Sequence, residues 1–136
     1  MGITLHGIIE VWIEKTEHTE GHWENFATVE FNKDSNLREA LRPWVTRERK
    51  WNVPAYMGAP EYARSARTRE LAEDDVTDAS WVTTAELEMA IFSLIAEARK
   101  DGEYEPYITT ARATYLFMRR FESDGRKPRL LFYSIT

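Results

Sequence analysis

Apolar and polar residues alternate with a period of two at the start of the chain. Leu5, Gly7, Ile9, Val11 and Ile13 share one parity, and His6, Ile8, Glu10, Trp12 and Glu14 share the other. Residues 3–15 therefore read as a strand with one face for the core and one face able to meet a ligand. Residues 23–31 read as its hairpin partner, rich in Trp, Phe, Thr and Val. In that second strand Trp23, Ala27, Val29 and Phe31 fall with Asn25 on the parity expected to join the core. Glu24, Phe26, Thr28 and Glu30 fall beside His6 and Glu10. The polar stretch 16–22 is the hairpin tip.

Further along, the period changes. Asp34, Ser35 and Asn36 are N-cap residues, and 37–41 reads as a short helix that Pro43 stops. From Pro43 to Asp78 neither period is sustained, so this is a long irregular connection with a helical turn over 64–73 and a candidate lid or ligand wall. Thr83-Thr84-Ala85-Glu86 fits a capping box, and Leu87, Ile91, Leu94, Ile95 and Ala98 then recur at helical spacing as far as Lys100, with Gly102 placed to end the helix. After Pro106 a second helix carries Ile108, Ala111, Tyr115, Leu116, Met118 and Phe121 to a Ser123-Asp124-Gly125 turn. Residues 129–135 close the chain as a strand. The expected fold is α+β: an antiparallel sheet made of the N-terminal hairpin and the C-terminal strand, with two main helices on one face and a long central loop, in a single domain over residues 1–136.

Composition narrows the function classes. At 43% hydrophobic and 30% charged, with five Trp, six Tyr and six Phe, the chain has ample material for one core. No apolar run approaches the roughly 18 to 20 residues of a membrane span, and no leader is legible at the N-terminus, so the expected place of work is the cytoplasm. Zero Cys removes thiolate chemistry and disulfides, and three His make a pure histidine metal site improbable. A net charge of −5 argues against broad, non-specific nucleic-acid binding while leaving a small anionic ligand open. Thirteen Arg stand against five Lys, a bias that suits bidentate recognition of phosphate and equally follows from a GC-rich genome.

Three constellations could carry chemistry. His6, Glu10 and Trp12 lie on one strand face, with His6 and Glu10 ~13 Å apart: too far to bond, but suited to opposite ends of a pocket or to a general acid and base. The same residues also suit a solvated outer face. His18, Glu20 and His22 at the hairpin tip have donors for a divalent ion on a wet segment, and no metal is assigned. Arg42, Trp44, Arg47, Arg49, Trp51 and Tyr56 open an arginine and aromatic series running to Arg69, the combination that holds phosphates and stacks on bases. Its alternative is a surface segment whose arginines pair with Glu48, Glu61, Glu70 and Glu73. Arg119, Arg120, Arg126, Lys127 and Arg129 could close the same pocket, or simply complement a helix end. Glu73, Asp74, Asp75 and Asp78 permit mimicry of a phosphate backbone, although such runs are usually solvated faces. Trp44 and Trp51 also suit a protomer contact, which keeps a homo-oligomer open. No phosphate-binding loop or zinc-binding motif is present, and no cofactor is expected.

The opening Met1-Gly2-Ile3-Thr4-Leu5-His6-Gly7-Ile8-Ile9-Glu10-Val11 resembles a set of small phage-encoded proteins of unassigned function that begin with Met-Gly, a hydrophobic-His-Gly step and a nearby Glu. The resemblance continues in sparse blocks through Trp23, Asn36-Leu37, the 54–60 loop, 80–87 and 129–133. Two positions depart from it: Thr4 and Asp78 replace the Asp and His usual there. The resemblance implies a phage accessory protein countering host defence from within the host cytoplasm. With the arginines and aromatics, it sets the expectation of a protein binding a small anionic, nucleotide-like ligand such as a cyclic-nucleotide immune signal, through His6, Glu10, Trp12, Arg47, Arg49, Trp51 and Tyr56. The alternatives are a phosphodiesterase-type enzyme using His6 and Glu10, and an acidic inhibitor of a host nuclease complex.

Overall fold

The computed structural model describes residues 4–32, 35–46, 49, 77–101 and 106–135. Its elements are β1 (Thr4–Ile13), β2 (His22–Asn32), α1 (Ser35–Leu41), a 3-10 turn (Arg42–Trp44), β3 (Thr77–Val82), α2 (Thr84–Asp101), α3 (Pro106–Ser123) and β4 (Pro128–Ile135). The strands form one antiparallel sheet in the order β2-β1-β4-β3, so the two ends of the chain lie side by side at its centre. The class is α+β, as the alternation and the two helical stretches predict.

The helices cover one face. Leu5, Ile9, Phe31, Leu130, Phe132 and Val82 from the sheet pack against Leu37 and Leu41 of α1, Leu87, Ile91 and Leu94 of α2, and Ala111 and Met118 of α3. The capping box that predicts α2 forms: the Thr83 N–H donates to Glu86 Oε1 at 2.9 Å and the Glu86 N–H to Thr83 Oγ1 at 3.3 Å. Gly125, at a φ of 82°, turns the end of α3 toward β4, a conformation that glycine adopts without steric cost.

Two expectations need correction. Residues 43–78 are not wholly irregular, because β3 begins at Thr77 and adds a fourth strand beyond the expected three. Its periodicity is obscured by a register shift between Thr77 and Ser80, where Asp78 takes a φ of 53°. Asp is among the non-glycine residues that tolerate that left-handed conformation. Pro43 stops α1 as expected: the α-helix ends at Leu41, and a 3-10 turn that contains Pro43 follows it. The second correction concerns β2. Ile9 pairs with Ala27 but Glu10 pairs with Asn25, so Phe26 is an extra residue in a bulge. A one-residue offset exchanges the faces. Trp23 and Asn25 therefore join His6 and Glu10 on the second face, while Phe26 turns to the helix side and meets Phe121 edge-on at 5.0 Å.

Alternation suggests an open second face, but the centre of that face is dry. Ile8, Glu10, Leu131, Arg129, Tyr133 and Trp23 are all buried, as is Trp81 on β3. A sheet buried on both faces loses its clean alternation, and the continuous apolar run of 130–133 follows from that.

Gly7 is closely packed on the first face. A Cβ there would lie 2.8 Å from Phe31 Cε2 and 3.0 Å from Leu130 Cδ1. Gly7→Ala is expected to lower stability by about 1–3 kcal/mol in chemical denaturation through overpacking of these two side chains. An unchanged midpoint would mean that the Phe31 ring does not rest on this glycine.

Candidate functional site

The second face is built around an ion pair between the two central strands. The β1–β4 register sets Glu10 opposite Arg129, and Arg129 Nε and Nη2 both donate to Glu10 Oε1, at 3.0 and 2.8 Å. Both side chains are fully buried. The guanidinium lies 3.9 Å above the Trp23 ring, a cation–π contact that is strongest where water is excluded. Trp23 in turn meets Trp12 edge-on at 5.2 Å, and Trp12 lies over Gly21, where a Cβ would sit 2.6 Å from Trp12 Cζ2. Among the described residues, Glu10 Oε2 and Trp23 Nε1 are buried with no hydrogen-bond partner. An acceptor and a donor are thus both left unmatched in a cluster with two indole rings.

His6 occupies the other end of the same face, separated from Glu10 by Ile8. Its Nδ1 is 2.8 Å from Glu30 Oε1, and its ring stacks on Tyr133 with centroids 5.3 Å apart and planes inclined by 15°. An ionised carboxylate can only accept, so Glu30 holds the proton on Nδ1. No hydrogen bond involves Nε2 among the described residues. His6 and Glu10 are therefore not a direct pair; each has its own partner from a neighbouring strand.

Of the arginine and aromatic series, Arg49 is described, and it acts as a clamp. Its Nη1 and Nη2 donate to the two oxygens of Glu86 at 2.7 and 2.8 Å, its Nη1 also donates to the Trp81 carbonyl at 3.2 Å, and its guanidinium lies 4.1 Å over the Trp81 ring. Burial pushes the Glu86 carboxyl up, but the hydrogen bonds from Arg49 and the Thr83 N–H outweigh it and hold the pKa below the ordinary value. Arg42 pairs with Glu39 on the surface, and Trp44 packs against the core, with its carbonyl accepting from Ser80 Oγ at 2.5 Å. Arg47, Trp51, Tyr56 and the acidic residues 73–75 lie outside the described residues. At the hairpin tip His22 Nε2 bonds Glu24 and Nδ1 bonds the Glu20 carbonyl, and among the described residues no group of three His, Asp or Glu side chains is placed to hold a metal ion. Arg119, Arg120 and Lys127 have carboxylate neighbours Glu122, Asp124 and Glu14.

Sequence reasoning missed Arg129 as part of the Glu10 cluster, reading it as one of a basic group around the last turn. The available signal was the alternation Arg129, Leu131, Tyr133 within a closing strand whose other parity is plainly core. Trp23 was placed on the wrong face because a bulge has no single-residue signature.

Compared with protein-family models, curated proteins and solved structures, the chain matches none. No helix among the described residues is long and apolar enough to cross a membrane.

Two outcomes test the energetics. Arg129→Met leaves the Glu10 carboxylate buried without its cation and should cost about 3–5 kcal/mol, whereas Glu10→Met combined with Arg129→Met should recover much of that loss, because desolvation of the pair largely cancels its attraction. A double variant as unstable as the single one would show that the pair itself supplies net stability. For Glu86, a folded-state pKa below the unfolded value means that its contribution is present above the unfolded pKa, about 4.3, and is lost as pH falls through the folded value. Denaturation midpoints measured from pH 6 to pH 2 should therefore fall less steeply for Glu86→Gln than for the parent chain.

Proposed function

We propose that the chain is a small-ligand binding protein whose second sheet face takes the base of a nucleotide-like molecule, in keeping with a phage accessory protein that sequesters a host cyclic-nucleotide signal. The observation that carries this reading is the unmatched pair of buried polar atoms, Glu10 Oε2 and Trp23 Nε1, in a cluster with two tryptophans. A base presents N–H donors, ring and carbonyl acceptors and a flat π-face, which is what a carboxylate oxygen, an indole N–H and indole rings recognise. Arg129 and Arg49 are each paired with a carboxylate.

A second reading has one observation in its favour. Glu30 on His6 Nδ1 is the arrangement that orients an imidazole as general base through Nε2, as phosphodiester cleavage would require.

A panel of nucleosides, mononucleotides and cyclic dinucleotides, read by thermal shift and tryptophan fluorescence, with chromatography of each mixture, separates the two. Binding without new products is expected, weakened roughly ten-fold or more by Trp12→Leu through the loss of ~1–3 kcal/mol of stacking. Silence across the whole panel defeats both readings, and product formation abolished by His6→Ala replaces sequestration with catalysis.

A further inference from the structure

Helix α2 has two apolar faces. Leu87, Ile91 and Leu94 point into the core, and on the opposite side Ala85, Met89, Phe92 and Ala96 recur at i, i+4, i+7 and i+11, the spacing of a seam between packed helices. Met89 and Phe92 are 58% and 62% exposed, so the outer stripe is apolar and wet at once. Scattered surface hydrophobics need no explanation, but a stripe four positions long with no charged residue in it does. The carboxylates that flank it are turned to other work: Glu86 binds Arg49, and Glu88 accepts from the Tyr115 hydroxyl of α3 at 2.5 Å.

The adjoining helix supplies the complement. The outer side of α3 carries Leu116, 63% exposed, among Arg112, Arg119 and Arg120. The outer side of α2 is bordered by Glu86, Glu88 and Glu97, so one helix presents an apolar stripe with acidic margins and the other an apolar residue with basic margins. We propose that a second copy of this chain covers this face, with α2 of each protomer lying on α3 of its partner about a two-fold axis that runs along the helices. That arrangement sets Glu88 and Glu97, which make no ion pair among the described residues, on the helix that meets Arg112 of the other copy at both contacts, whereas stacking α3 on α3 would oppose Arg112 to itself and stacking α2 on α2 would oppose the carboxylates. Because α2 and α3 form an antiparallel hairpin tied by the Tyr115–Glu88 bond, the two copies together make a four-helix layer between two sheets. Met89 and Phe92 then bury against the partner's Leu116. This surface lies on the far side of the helices from the Glu10 cluster, and the inference does not depend on the ligand reading.

Light scattering coupled to size exclusion should give twice the chain mass at micromolar concentration, and the melting temperature should rise with protein concentration. Phe92→Arg, at an exposed position that leaves the core untouched, should give the single-chain mass. The absence of cysteine allows a direct test of the pairing: Met89→Cys mixed with Leu116→Cys should form an intermolecular disulfide under oxidation in far higher yield than either variant alone. A parent chain that remains monomeric, a dimer unaffected by Phe92→Arg, or cross-linking of Met89→Cys with itself in preference to Leu116→Cys overturns the proposal.

Discussion

The buried pair of Glu10 and Arg129 is the constraint on which the second face depends. Removing two charges from water costs several kcal/mol per ion, and their attraction only roughly repays it. What the pair contributes is direction. Two N–H groups converging on one carboxylate oxygen across β1 and β4 make sense at one register, since a slip of a single residue would carry Arg129 to the helix side and leave Glu10 bare. The strands it joins are 119 residues apart in sequence, and they form the centre of the sheet. The same guanidinium also fixes Trp23 by lying over its ring, and Trp23 then positions Trp12.

Seen from the sequence, local features are legible and the long-range ones are not. The capping box at Thr83–Glu86 is legible because all its partners lie within one turn. The β1 alternation is legible for the same reason. The partner of Glu10 is not, because the alternation of 129–133 sets Arg129 on the second face without fixing which strand, or which residue of it, lies opposite. The bulge at Phe26 is equally silent, yet it decides which face receives Trp23. Arg49 shows a different limit. Its residue type points to phosphate, and its geometry assigns it to Glu86 and Trp81, because a planar fork satisfies a carboxylate as readily as a phosphate. Residue type alone does not choose between the two.

The two faces of the molecule differ in what they leave unsatisfied. On the sheet side the unmatched groups, among the described residues, include buried polar atoms: the Glu10 carboxylate oxygen and the indole N–H groups of Trp23 and Trp81. On the helix side they are apolar and exposed. These deficits call for different remedies, since a buried polar atom is satisfied by a small molecule with complementary hydrogen bonds and an exposed apolar stripe by another extended surface. Assigning both to one partner would require a surface that wraps from one side of the sheet to the other.

Charge accounting sharpens the ligand reading. An anion is normally held by cations that have no other partner, because a guanidinium already sharing its protons with a carboxylate gives up that bond to gain the new one. Arg49, both of whose terminal nitrogens bond Glu86, is in that position, and His6 already bonds Glu30. Affinity arising from this part of the face should accordingly come from stacking and hydrogen bonding, with little sensitivity to salt, while the phosphates of a nucleotide would add a separate, screened increment. The net charge of −5 points the same way, since long-range attraction of an anion is weak on an acidic chain and discrimination must reside in short-range contacts. On the proposed reading, a ligand would be chosen by its base rather than its charge, through the Glu10 oxygen and the Trp23 N–H that have no partner among the described residues.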